Sequence, residues 1–93
     1  MSVSISSPSA NSTVTSPIQA NGTAGPDIKV RGSMTDSTGK SYDPTSIKQP
    51  PKGGTAWSMS FTVAAMNNPY KLKVWNVMNQ GDGDEHDNIT VNT

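Results

Sequence analysis

The sequence predicts an all-β fold, an antiparallel β-sandwich of about seven short strands. Three observations carry that prediction. Apolar and polar residues alternate with a period of two along several segments, the pattern of strands with one buried and one wet face. Prolines at positions 8, 17, 26, 44, 50, 51 and 69 interrupt the chain repeatedly and leave no segment suited to a long helix. The stretches between them are rich in Ser, Thr and Val, which favour strands over helices.

Taken in order, Val3 and Ile5 point one way and begin a first strand, which Ser7-Pro8 ends. Asn11-Ser12-Thr13 reads as a loop, with Val14 as a plug under one end of the sandwich. Ile18 and Ala20 give a second strand ending near Asn21-Gly22, a common turn pair. Ile28, Val30, Gly32 and Met34 alternate with Lys29, Arg31 and Ser33 in a third strand, after which Thr38-Gly39 turns the chain. Residues 45–49 form a short edge strand, and Gln49-Pro50-Pro51-Lys52-Gly53-Gly54 is a loop on composition. Trp57, Met59, Phe61 and Val63 then alternate with Ser58, Ser60 and Thr62, the clearest strand in the chain. Asn67-Asn68-Pro69 turns into a strand in which Tyr70, Leu72 and Val74 alternate with Lys71, Lys73 and Trp75. Gly81 to Asn88 reads as a polar loop, and Ile89 and Val91 close with a last strand. The expected core is Val3, Ile5, Ile18, Ile28, Val30, Trp57, Met59, Phe61, Val63, Tyr70, Leu72, Val74, Ile89 and Val91.

All 93 residues fit one domain, spanning 1–93. The composition is lean, 31% apolar and 15% charged, yet the formal net charge is zero. Disorder needs low hydrophobicity joined to high net charge, so a thin folded core is expected. There is no cysteine, which excludes a disulfide, a thiolate metal centre and a cysteine nucleophile. No run approaches the ~20 apolar residues of a membrane span. Met1-Ser2-Val3-Ser4-Ile5 lacks the basic and apolar regions of a signal peptide. The expectation is a chain excised from a longer exported protein, or one that reaches its place without classical export.

The opening Val3-Ser4-Ile5-Ser6-Ser7-Pro8, then Val14, then Ser16-Pro17-Ile18-Gln19-Ala20-Asn21-Gly22-Thr23-Ala24, resembles the start of bacterial Ig-like domains. Tyr70-Lys71-Leu72-Lys73-Val74 and Asn88-Ile89-Thr90-Val91 resemble their last two strands, and the acidic stretch between has a counterpart there. Met34 to Thr55 departs from the family pattern, with its long segment of prolines and glycines. The resemblance implies an immunoglobulin-like antiparallel β-sandwich. It also implies a spacer, adhesion or interaction module, extracellular, on a cell surface or on a phage virion, with no fixed active site. Such a module is expected to be monomeric within a larger protein or assembly.

Catalysis finds no footing in the residues. The single histidine, His86, lies among acids in a polar segment, and no nucleophile elbow accompanies the abundant serines. No catalytic residue is assigned, and the chain is expected not to be an enzyme. In the acidic segment Gly81-Asp82-Gly83-Asp84-Glu85-His86-Asp87-Asn88, four carboxylates fall within six residues. Calcium takes six to eight hard oxygens from a flexible loop, which Asp82, Asp84 and Asp87 could begin to supply. The plainer reading, a solvated hairpin loop that discourages edge pairing, is favoured. No cofactor is therefore assigned; calcium is the metal to expect should one bind.

The outward face is the stronger candidate. Strand parity sends Lys29, Arg31, Lys71, Lys73 and Trp75 to solvent, with Thr90 and Asn92 beside them. In an immunoglobulin-like topology these three strands neighbour one another, so the zero net charge would conceal a basic face bearing a tryptophan. Such a face suits a partner hot spot or a stacking platform for a sugar ring. Equally, Trp75 could lie flat under the lysine stems. The expected partner is a polysaccharide or a protein rather than a nucleic acid, and no membrane is implied. A carbohydrate-binding module, using Trp75 and Tyr70, is the second functional expectation. Asn-x-Ser/Thr triplets at Asn11, Asn21 and Asn88 carry no weight in so Ser- and Thr-rich a chain.

Overall fold

The computed structural model describes residues 3–63 and 65–92. Among the described residues nine strands are present: β1 (Ser4–Ser7), β2 (Thr13–Thr15), β3 (Ile18–Thr23), β4 (Val30–Thr35), β5 (Ser41–Tyr42), β6 (Ser46–Lys48), β7 (Ala56–Phe61), β8 (Tyr70–Asn76) and β9 (Asn79–Asn92). A single 3₁₀ turn, Ala65–Asn67, joins β7 to β8. Four strands form one sheet in the order β1-β3-β7-β6, and five form a second in the order β2-β9-β8-β4-β5. Neighbours are antiparallel except β2, which runs parallel to β9. The expected β-sandwich is thus present, with nine strands in place of about seven. Among the described residues no helix is long and apolar enough to cross a membrane.

The period-two pattern explains the core. Ile18 and Ala20 of β3, Trp57, Met59 and Phe61 of β7, Val30 and Met34 of β4, and Tyr70, Leu72 and Val74 of β8 are all buried. Their sheet positions face one another across the sandwich and join Val3, Ile5, Ile89 and Val91 in a single apolar cluster. Of the expected core only Ile28 departs. It precedes β4 and packs half-buried against the cluster, as do Val14, Tyr42 and Ile47. Met34, Ala20 and Ala24 are buried in addition.

Two local readings are corrected. Asn21-Gly22 is not a turn, because β3 continues to Thr23 and Gly22 pairs with Ile5 on one side and Trp57 on the other. A Cβ at Gly22 would collide with the Ser4 carbonyl oxygen and come within 2.6 Å of the Trp57 ring. Glycine is required there for close packing rather than for chain reversal. The Trp57 indole NH then donates to the Thr23 carbonyl at 3.1 Å, so its one polar atom is satisfied in the core.

The second correction has larger consequences. Gly81–Asn88 is not a loop but the first part of β9, which runs for 14 residues. The sequence places Ile89 and Val91 at odd, inward positions, and by that phase Asp82, Asp84 and His86 would point outward. A register irregularity between the Tyr70–Ile89 and Leu72–His86 pairs shifts the phase, with Asn88 at φ 59°. This is a β-bulge, which inserts a residue and resets which side chains share a face. Beyond it Asp82, Asp84 and His86 turn toward β1, while Glu85 and Asp87 turn outward.

Candidate functional site

The outer face of the five-stranded sheet is set by the pairing of β4, β8 and β9. Arg31 lies opposite Trp75, Ser33 opposite Lys73 and Thr35 opposite Lys71. On the other flank of β8, Glu85 lies opposite Lys73 and Gly83 opposite Trp75. The structure therefore brings Arg31, Lys71, Lys73 and Trp75 onto one face, as parity requires, with exposed Lys29 just ahead of β4.

The face is not a bare basic patch, however. Lys71 Nζ lies 3.9 Å from Glu85 and 3.7 Å from Asp87, and Lys73 Nζ lies 3.8 Å from Glu85. The 81–88 segment, expected to be a polar loop, is instead strand, so β9 carries Glu85 and Asp87 alongside β8. Each of these pairs is half-exposed and is worth about 0.2–1 kcal/mol. They cancel charge without fixing much stability. Lys29 and Arg31, on the β4 side, stand apart from these pairs.

Trp75 is neither flush with the surface nor buried. It forms one wall of a shallow hollow of about 330 Å³ shared with Ser33, Thr35, Ser41, Lys73 and Gln80. Gly83 explains why the β9 flank stays low: a Cβ there would strike the Val74 carbonyl oxygen and approach Trp75 within 3.2 Å. Tyr70 cannot serve as a second platform from this face, since it is 2% exposed and belongs to the core. A wider groove of about 590 Å³ runs past Pro69, Lys71, Glu85 and Asn88 toward Asp36.

The three carboxylates considered for calcium are not brought together. Asp82 accepts the Val3 backbone NH at 3.2 Å, and Asp84 accepts that of Ile5 at 2.9 Å. Asp87 points to the other side, toward Lys71. Among the described residues no group of three or more His, Asp or Glu side chains could hold a metal ion. Asp82 and Asp84 have a different task. The NH groups of Val3 and Ile5 lie on the open edge of β1, away from β3, and would otherwise be free to pair with a foreign strand. The two carboxylates occupy them with charge-assisted bonds.

His86 completes this seam. Its Nδ1 lies 2.7 Å from the Pro8 carbonyl oxygen, and its Nε2 lies 3.5 Å from Asp84. A carbonyl only accepts, so Nδ1 carries a proton. Past Pro8 the seam passes to the backbone: Asn11 donates to the Asp87 carbonyl, Thr90 to that of Ser12 and Ser16 to that of Asn92. One strand, β9, thus closes the whole N-terminal flank, by side chains along β1 and by main chain along β2.

Sequence reasoning passed over Asp36, the one buried charged residue among those described. Its carboxylate accepts from the Thr38 and Lys40 backbone NH groups, the Thr38 hydroxyl, the Tyr42 hydroxyl and the Asn67 amide. The Thr38 hydroxyl bond, with help from the other donors and against the opposing effect of burial, holds its pKa down at about 2. Tyr42 is pushed up, first by its bond to Asp36, and Tyr70 is pushed up by burial. The signal was present: Asp36 stands three residues before Gly39, whose φ of 92° suits the turn. With every contact a donor from a turn or a neighbouring strand, the cluster is a structural lock rather than a reactive centre.

No family model, curated protein or solved structure matches the chain.

Proposed function

We propose that the chain is a non-catalytic module of the bacterial immunoglobulin-like kind, serving as a spacer, adhesion or interaction domain of a surface, secreted or virion protein. The observation that carries this reading is the strand order. Immunoglobulin sandwiches set strands A, B, E and D against C, F and G. With β1, β3, β7 and β6 as A, B, E and D, and β4, β8 and β9 as C, F and G, the two sheets follow that order. The division of the first strand, β1 in one sheet and β2 in the other, is in keeping with it. The surface or virion setting rests on the family resemblance of the sequence.

A spacer must bear tension between its two ends. β2, the second strand from the N-terminus, runs parallel to the last strand β9, so once the short edge strand β1 has yielded, pulling on the termini shears the β2–β9 hydrogen bonds together instead of peeling them singly. Single-molecule stretching of the chain between its ends is expected to give one abrupt unfolding event. Val14→Pro, which breaks β2, should lower the force at which it occurs. Gradual extension at low force in the unaltered chain would count against a load-bearing role.

A second reading is favoured by the hollow at Trp75. An indole wall beside Ser33, Thr35, Ser41, Lys73 and Gln80 offers a stacking surface next to hydroxyl, amide and ammonium groups. That combination fits a sugar ring, which has an apolar face and a polar rim. Binding to a panel of soluble and insoluble polysaccharides should be detectable and fall at least about fivefold in Trp75→Ala, since a stacked aromatic contributes about 1–3 kcal/mol by analogy with base stacking. Binding that survives the substitution intact would remove the stacking role, and a chain that binds no glycan would leave the first reading alone.

A further inference from the structure

The two hollows on the outer face of the five-stranded sheet are parts of one groove. The hollow at Trp75 and the wider one past Pro69 share two walls, Thr35 of β4 and Lys73 of β8. Thr35 is short, and the Lys73 side chain is half-exposed, so what stands between them is a lysine stem free to swing. The groove therefore follows β8 from Trp75 back to Pro69, just ahead of the strand's first residue. At about 3.3 Å per residue that path is roughly 20 Å long, several times the width of one sugar ring.

The lining changes along this path while its charge stays balanced. Around Trp75 it is the hydroxyls of Ser33, Thr35 and Ser41 and the Gln80 amide, with Arg31 across from Trp75 but outside the lining. Toward Pro69, the Lys71 and Lys73 ammonium groups face the Glu85 and Asp87 carboxylates. Asp36, at the far end, is already engaged by its own turn, Tyr42 and Asn67. The lysine–carboxylate separations of 3.7 to 3.9 Å exceed the ~2.7–3.2 Å of a made hydrogen bond. Both sides of each pair therefore keep unused capacity. A hydroxyl, which donates and accepts at once, is the group that can bridge them.

We propose that this groove takes an extended, uncharged polysaccharide chain, laid along β8 with one ring stacked on Trp75 and the hydroxyls of later rings bridging the lysine–carboxylate pairs. The proposal rests on the glycan reading of Trp75 and adds to it the charge and the length of the ligand. A polyanion is drawn to Lys71 and Lys73 but repelled by Glu85 and Asp87, and a polycation meets the reverse. A neutral polyol is served by all four. One ring bound at Trp75 touches only the indole and its neighbouring hydroxyls and amide. Each further ring reaches groups that the first cannot, so affinity accumulates along the chain instead of residing in a terminal sugar.

Titration calorimetry with size-graded oligomers of cellulose, dextran and chitin tests it, with alginate and chitosan oligomers as the charged counterparts. For a neutral chain that binds, affinity should rise at least about tenfold, about 1.4 kcal/mol, from disaccharide to hexamer. It should change less than about twofold between low and high salt, because screening acts on net attraction between charges. Lys71→Ala, at the far end of the groove, should shrink the advantage of the hexamer over the disaccharide, whereas Trp75→Ala should weaken both. A disaccharide that binds as tightly as the hexamer overturns the extended chain and leaves the glycan reading of Trp75 standing. Preference for alginate or chitosan over every neutral oligomer, or binding that fades with salt, overturns the uncharged ligand. Failure of every oligomer to bind removes the glycan reading and this inference with it.

Discussion

At the scale of single residues, Asp36 shows how a buried charge is tolerated in so small a core. Unpaired, a carboxylate at 5% exposure would be costly; here every neighbouring polar group donates to it. Its folded pKa of about 2 lies below the ordinary value of 3.8, so the charged form is the one the fold favours. The linked stability is therefore complete above about pH 4 and lost as pH falls through about 2. Thermal melting between pH 5 and 2 should decline more steeply in the wild type than in Asp36→Asn. That variant should start lower, because its amide NH₂ faces donors where a carboxylate oxygen accepted. Parallel pH profiles would show that the lock lies elsewhere. Two amides play a similar part for the backbone. Gln49 exchanges both hydrogen bonds with Val30 at 2.8 Å, and Asn68 does so with Val91 at 2.8 and 3.0 Å, each imitating a short stretch of neighbouring strand. Neither amide stands out in the sequence, because a polar side chain whose partner is distant in the chain leaves no periodic trace.

Among the elements, the strands whose inward and outward residues alternate without interruption were legible: β3, β4, β7 and β8 fall where alternation puts them, and thirteen of fourteen expected core residues are buried. Two elements were not, and of β9 only the end at Ile89 and Val91 was. β2 and β5 are three and two residues long, too short for a period to register, and they form only because β9 and β4 offer open edges. The first part of β9 was hidden by its own composition. A run of Asp, Glu, Gly and Asn has poor strand propensity and reads as a loop. The propensity is overridden by what the side chains find: Lys71 and Lys73 on one face, and the backbone NH groups of Val3 and Ile5 on the other. The bulge at Asn88 hid the phase as well as the extent. Strand parity consequently placed Arg31, Lys71, Lys73 and Trp75 on one face but missed the acids that pair with its two β8 lysines, and Asp82 and Asp84 of the acidic run bind the β1 edge.

For the molecule as a whole, charge and core have separate duties. The Lys–carboxylate pairs across β8 and β9 are half-exposed, and the whole chain is neutral, so electrostatics adds little to folding and cannot oppose it by self-repulsion. Stability must come from a core one side chain deep on each sheet, in a domain small enough that total stability is expected at about 5–14 kcal/mol. Phe61 is fully buried at the end of β7, beside Ile18, the first residue of the neighbouring strand. Phe61→Ala should lower the unfolding free energy by about 3–5 kcal/mol, a fifth or more of the total. Lys71→Ala combined with Lys73→Ala should cost about 1 kcal/mol or less. Urea denaturation with unchanged slopes would separate the two. A lysine pair as costly as the phenylalanine would place the stability on the outer face, and would leave that face less free to serve a partner. If instead the core carries the fold, the faces and ends can change their residues at little cost, as an interaction module requires.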